Sequence, residues 1–180
     1  DVCSSDLRIK SIGITALGDI DAINEVVLSD CFDVAQIYYN LLNPSASFSS
    51  PGKWNDHNFS NLIKNCKSKD MGLMNIRIYA AGYLATDKRH GREIPITFGI
   101  DETELNKRVE KINLIMRDIQ GTKAQKALRY GLSNDDMSTI VIGLAEISHL
   151  EEALEGYELG SLDEEILRKI EELQMNNFIN

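Results

Sequence analysis

The chain has little of what metal, disulfide and membrane proteins are built from. Its 180 residues include three cysteines and three histidines. Cys3, Cys31 and Cys66 form no CxxC pair, and His57, His90 and His149 are scattered among them. That spacing speaks against a zinc site, and the odd thiol count reads as reduced cysteine in a cytoplasmic protein. No apolar run approaches the roughly 20 residues that cross a bilayer. No basic start followed by an apolar stretch marks a signal peptide. Positive charge is scarce as well: 19 Lys and Arg against 28 Asp and Glu leave a net charge of −9. A nucleic-acid partner is therefore not expected, because phosphate binding needs a basic footprint. There is no P-loop, no Gly-x-Gly-x-x-Gly and no Gly-x-Ser-x-Gly elbow. No general acid–base constellation emerges either, since the acids fall mainly in helices and at their starts, where dipole and solubility explain them.

What remains is ordinary in amount and ordered in pattern. A hydrophobic content of 43% with 26% charged residues suits a soluble globular domain, long enough for one well-buried core. Four runs carry the strand signature of short apolar or β-branched stretches stopped by Gly, Asn or Pro: "IKSIGIT" (9–15), "DVAQIYY" (33–39), "LMNIRIY" (73–79) and "STIVIGL" (138–144). Several are apolar on both alternating faces, as in a parallel sheet buried on both sides. Helical patterns follow each run: "DIDAINEVVLSD", "FSNLIKNCKSKD", then "ETELNKRVEKINLIMRDI" with "KAQKALRYGLS", and last "SHLEEALEGYELG" with "LDEEILRKIEELQ". Asp101 with Glu104, Thr122 with Gln125, Ser148 with Glu151 and Ser161 with Glu164 each fit a cap followed by an acid or amide at N3. Gly72, Gly121 and Gly160 are placed to end helices or turn the chain. The βα unit repeated four times predicts an α/β fold with a parallel sheet.

Ligands of such folds sit at the carboxyl ends of the strands. The residues there are Thr15 and Ala16, then Gln36, Tyr39 and Asn40, then Tyr79 to Gly82, and finally Gly143 to Glu146. Gln36 lies in an apolar strand, where an unsatisfied amide costs roughly 1–3 kcal/mol. It either bonds neighbouring backbone or pairs with a ligand amide. "AAG" at 80–82 lets backbone approach a ligand closely, although a tight turn needs the same residues. The helix starting near Ser148 offers free N–H groups to a phosphate. Two long loops, "NPSASFSSPGKWNDH" (43–57) and "ATDKRHGREIPITFG" (85–99), read as functional segments or as solvated excursions. Lys88, Arg89 and Arg92 in the second are diluted by Asp87 and Glu93.

Taken in order from Ile9 to Leu173, "IKSIGIT", "FDVAQIYYNLLNPSA", "MGLMNIRIYAAGYL" and "KALRYGLSNDDMSTIVIGLAEISHLEEAL" resemble the aldo/keto reductase family, nearest to the branch of aldose and pyridoxal dehydrogenases. The resemblance implies a (β/α)8 TIM barrel, of which this chain matches the C-terminal half, strands five to eight. It implies hydride transfer between NAD or NADP and a small carbonyl or alcohol substrate of the aldehyde or sugar type. Thr15 and Gln36 match residues that hold the nicotinamide carboxamide. Ala80, Ala81, Gly82 and Leu84 match the loop at the pyrophosphate, and Gly143, Glu146 and Glu152 match the segment around the adenosine phosphate and adenine.

Departures from the family pattern carry information too. Ala16 replaces a common asparagine, and Ile76, with Tyr79 nearby, stands where an aromatic stacks on the nicotinamide. Gly143, Glu146 and His149 stand where many members place Lys or Arg for the 2′-phosphate, so NAD is favoured over NADP. Nothing matches the Asp, Tyr, Lys and His tetrad of the family's first four strands; Tyr38, Tyr39, Tyr79, Tyr83, Tyr130 and Tyr157 lie outside that context. No catalytic residue is therefore assigned, and the chain alone is expected to be inactive. A whole barrel needs roughly 250 residues, and half of one leaves open sheet edges that favour self-association. The opening "DVCSSDL" reads as the translation of GAC GTG TGC TCT TCC GAT CT, the end of a sequencing adapter, so residues 1–7 are expected to be non-native and 8–180 to form the partial barrel domain. The competing reading is a non-enzymatic α/β module, derived from the barrel, that binds a nucleotide or a protein.

Overall fold

The computed structural model describes residues 9–49, 54, 56–88 and 100–179; the adapter-like opening and most of the 85–99 loop lie outside them. Strands β1 (Gly13–Ala16), β2 (Val34–Tyr38), β3 (Gly72–Ile76) and β4 (Thr139–Ile140) alternate with helices α1 (Ile20–Leu28), α2 (Leu62–Ser68), α3 (Glu102–Ile115), α4 (Lys123–Leu132), α5 (Ile147–Glu158) and α6 (Glu164–Met175). The sheet has the order β1-β2-β3-β4 and every pairing is parallel. All four expected strands form, with the last trimmed to two residues.

Register sorts the strand residues into two faces, because side chains alternate along a strand. Ala16, Ile37, Asn75 and Ile140 lie side by side, as do Thr15, Gln36, Met74 and Thr139. The first row, with Ala35 and Leu73, is packed under helices; Ala16, Ala35 and Ile37 are fully buried. The second row is open: Thr15 and Thr139 are exposed, and Gln36 and Met74 half-buried. The expectation of burial on both faces therefore holds fully for one face; on the other, only the carboxyl ends are covered, where Tyr38 and Ile76 are buried and Tyr38 stacks on Phe59 of the following loop, 5.5 Å between ring centroids. Gln36 sits on that open face, which is why an apolar strand tolerates it.

Close packing on the covered face depends on small residues. A Cβ at Gly131 of α4 would lie 2.7 Å from Ile78 Cδ1 and 3.1 Å from Asn75 Nδ2. Gly131 thus lets α4 settle against β3, over the fully buried Asn75, whose two amide atoms have no hydrogen-bond partner. Gly156 does the same between α4 and α5, where a Cβ would come within 3.2 Å of the Gln125 backbone. Gln125 is the N3 residue of a capping box with Thr122, and its amide nitrogen also donates to Glu152 O and Glu155 Oε2, each at 3.1 Å.

Two helix starts differ from expectation. Asp101 and Thr122 cap α3 and α4 as the pattern implies. α5 instead begins after Glu146 and α6 after Asp163. Ser161 is held elsewhere: its carbonyl accepts from Arg129, and Leu162 N–H donates to Ser133 Oγ at 2.9 Å, so the helix starts later. Gly121 and Gly160 take positive φ at turns. Gly72 opens β3, and the left-handed corner before it falls at Asp70.

Candidate functional site

The carboxyl ends of the strands are tied together by side-chain amides. Asn40, just past β2, is fully buried. Its Oδ1 accepts from the N–H groups of Leu42 and Asn43, at 2.9 and 3.0 Å, and its Nδ2 donates to Arg77 O beyond β3 at 3.0 Å. Asn43 continues the pattern: Nδ2 donates to His57 O at 2.7 Å, while Oδ1 accepts from the N–H and hydroxyl of Ser45. His57 Nε2 in turn meets Gly18 O at 2.6 Å, just beyond β1. The loop after β2 is thereby joined to the ends of both neighbouring strands. Asn40 is among the strand-end residues named from the sequence, and Asn43, Ser45 and His57 lie in the 43–57 loop marked there; their tying role is one that Asn and Ser play by hydrogen-bonding nearby backbone in turns.

On the open face, Thr15 Oγ1 donates to Gln36 Oε1 at 2.8 Å. The two residues are register partners on adjacent strands, so the bond follows from strand pairing alone. It leaves the Gln36 –NH2 as donor and a Thr15 oxygen lone pair as acceptor on one surface. A planar amide, with its own C=O and NH2, has the complementary pattern.

The next segment, Ala80–Gly82, is a short turn with φ of 46°, 56° and 94° at three successive residues. Left-handed backbone costs an alanine roughly 1–2 kcal/mol, yet it presents backbone with little side chain in the way. Amides in this turn are engaged internally: Gly82 N–H donates to Tyr79 O at 2.9 Å and Leu84 N–H to the same oxygen at 3.1 Å. Leu84 is a core residue, 4% exposed, so its side chain packs inward rather than lining a surface.

The fourth strand end is open to solvent. Gly143 and Glu146 are exposed, and Glu146 occupies the N-cap position of α5 without a side-chain cap bond. Glu152 is committed to structure, accepting from Thr122 Oγ1 at 2.6 Å. Its charge also reaches Tyr79: burial first, and then Glu152, raises that phenol. Tyr38 is pushed up to about 12, mainly by burial against the loop, with Asn40 pulling the other way. Of the residues singled out from the sequence, the structure joins Thr15 to Gln36 directly and sets Tyr79 within electrostatic range of Glu152. It forms no contact between the carboxamide pair and Gly143 or Glu146. Lys88 is exposed; Arg89, Arg92 and Glu93 lie outside the described residues.

Among the described residues no cluster of His, Cys, Asp or Glu could hold a metal ion, and no helix is long and apolar enough to cross a membrane. Residues 8–175 match the aldo/keto reductase family. No curated protein matches the chain. Among solved structures, aldo-keto reductase AKR11C1 from Bacillus halodurans in its holo form is similar at a TM-score of 0.64 and 15% identity, over 93% of this chain and 50% of that one. Its apo form gives 0.62 and 15%, over 86% and 48%. The chain spans about half the length of the solved structures it matches, and at this identity the likeness speaks to fold.

Proposed function

From the premise that the chain belongs to the aldo/keto reductase family, we propose that it is the cofactor-holding half of an oxidoreductase that moves a hydride between NAD(P) and a small carbonyl or alcohol. The carrying observation is the Thr15–Gln36 hydrogen bond on the open sheet face. It leaves one donor and one acceptor matched to a carboxamide, so the residues present fit a nicotinamide. When bound, the cofactor supplies or accepts the hydride; the chain's part is to hold and orient it. Gln36, through its free –NH2, and Thr15, which fixes the Gln36 rotamer and keeps an acceptor lone pair, would hold the carboxamide of a bound nicotinamide. Ala80, Ala81 and Gly82 give a pyrophosphate room beside the backbone, with Leu84 anchoring the end of that turn in the core.

We assign the four strands to positions five to eight of a (β/α)8 barrel, with the Asp, Tyr, Lys and His tetrad on strands outside this chain. The substrate is an aldehyde or sugar-type carbonyl, the compartment is the cytoplasm, and the chain alone does not turn over substrate. Supporting the half-barrel reading, the chain aligns with half of a matched structure, and the open row of Thr15, Gln36, Met74 and Thr139 suits a barrel interior.

Cofactor preference follows from charge. Glu146 stands exposed at the start of α5, where a carboxylate repels a 2′-phosphate and accepts from a ribose hydroxyl. NAD+ is expected to bind about tenfold tighter than NADP+, a difference of ~1.4 kcal/mol, and Glu146→Lys is expected to narrow the gap. Calorimetric titration with both dinucleotides checks this; tighter NADP+ binding withdraws the assignment. The isolated chain is also expected to self-associate. Ile147, Leu150, Leu154 and Tyr157 are 78%, 44%, 57% and 62% exposed along one side of α5, a contiguous apolar stripe of the kind that seeks a partner. Sedimentation velocity giving a monomer across a wide concentration range contradicts it.

A further inference from the structure

The most deeply buried cation among the described residues lies outside the site described above. Arg108, in the middle of α3, is 1% exposed. It reaches three separate parts of the chain. Toward the loop after β2, Nη1 is 3.8 Å from Asp56 Oδ2, in a pair whose side chains are 1% and 2% exposed, and the guanidinium lies 6.0 Å from the Trp54 ring centroid. Toward the C-terminal segment it stacks 4.6 Å from the Phe178 ring and its Nη2 donates to Asn177 Oδ1 at 3.5 Å. Along its own helix Nε donates to Glu104 Oε1 at 3.4 Å.

Each partner is itself held in place. Lys111, on the same helix, donates to Phe178 O at 2.6 Å. Asn177 and Phe178 adopt left-handed backbone, with φ of 52° and 58°, a conformation that persists where surrounding contacts over-determine it. On the loop side, Asp56 Oδ1 accepts from His57 N–H at 2.6 Å, Trp54 Nε1 donates to His57 O at 3.3 Å, and His57 bonds Gly18 O past β1. A continuous set of contacts therefore runs from the C-terminal segment through Arg108 to the strand ends.

We propose that Arg108 is a positioning residue that clamps the C-terminal segment and the β2–α2 loop into one body, setting where Trp54 stands at the strand-end face. A guanidinium suits the task because its planar fork bonds in two directions while its faces stack on rings. Arg108 holds a half-buried Trp54, itself edge-on to Phe48 at 6.4 Å, as an aromatic wall in a loop of the kind that sets specificity in α/β folds. The inference stands apart from the cofactor assignment, and its test uses no cofactor.

Protonation of Asp56 releases one arm of the clamp. The charged and titratable groups facing Asp56 are Arg108 from α3, itself paired with Glu104, His57 on its own loop and Tyr38 from β2. Burial raises the Asp56 carboxyl, opposed by the His57 N–H bond and the charges of Arg108 and His57. The folded chain therefore takes up this proton at higher pH than the unfolded chain does. Acidification through that range adds stability from this group and loses it as pH rises, so release there is not unfolding.

Trp54 is the sole tryptophan of the chain, so its emission and its quenching by acrylamide report on this loop alone. In the full chain, Arg108→Lys and Phe178→Leu are each expected to shift the emission to the red with roughly a doubling of the quenching constant while far-ultraviolet circular dichroism is retained, as expected for a locally freed loop. Wild-type emission is expected to step in the same direction as pH falls, at a higher pH than a solvent-exposed aspartate titrates, and Asp56→Asn to remove the step. Phe178→Leu leaves α3 untouched, so it decides the matter if an Arg108 variant fails to fold. Unchanged Trp54 quenching in Phe178→Leu, or a pH step that survives Asp56→Asn, overturns the proposal.

Discussion

Arg129→Met is expected to lower the stability of the chain by about 3–4 kcal/mol, from the loss of three charge-assisted hydrogen bonds of ~1.5–3 kcal/mol each, offset by partial rehydration of the freed carbonyls. Arg129 is 9% exposed. Its Nε donates to Gly160 O at 2.9 Å, Nη1 to Gln120 O at 3.0 Å and Nη2 to Ser161 O at 3.0 Å. One guanidinium thus holds both the turn before α4 and the turn between α5 and α6. Methionine keeps the apolar stem and leaves all three carbonyls without a donor. Arg129→Lys is expected to recover about a third of the loss, because an ammonium at the end of a flexible stem cannot match three fixed acceptors. Urea unfolding should show a lower midpoint with the slope unchanged. A loss below ~1 kcal/mol would mean that the turns hold without the arginine.

The second large effect falls on binding rather than stability. Gln36→Leu is close in size and sits half-buried on the open face, so the fold is expected to persist. The variant removes the donor assigned to the nicotinamide carboxamide, and affinity for NAD+ is expected to fall by about 10- to 100-fold, equivalent to ~1–3 kcal/mol. Thr15→Ala is expected to weaken binding less, since the Thr15 hydroxyl mainly orients Gln36 through the 2.8 Å bond. The double variant should lose less than the sum of the singles, because both act on one hydrogen-bonded unit. Additive losses would show that the two side chains work separately.

Element type was readable because strand and helix periods differ. Runs such as "DVAQIYY" and caps such as Asp101 and Thr122 produced elements where they were expected. Errors arose where two local solutions competed. Ser148 and Ser161 fit a cap pattern, but tertiary bonds at Ser161 and an earlier turn at Glu146 moved the starts. Burial was harder to read than element type. Gln36 looked buried from its apolar neighbours, while the strand amide that is buried is Asn75, in register with Ile37 and Ile140 under α4. One-dimensional pattern does not say which face a helix covers. The roles of Arg108 and Asp56 were illegible for a related reason: they lie far apart in sequence and meet because loop, helix and C-terminal segment converge. The pair proposed to hold the carboxamide came from family resemblance rather than from pattern; strand register is what brings Thr15 and Gln36 into contact.

The account rests on Thr15 and Gln36 recognising the nicotinamide end of the cofactor, so the most direct test compares NAD+ with ADP-ribose, which lacks that ring. Calorimetric titration of the full chain is expected to show NAD+ binding more tightly, and Gln36→Leu should bring the two affinities together. Equal affinity for NAD+ and ADP-ribose in the wild-type chain would contradict the account.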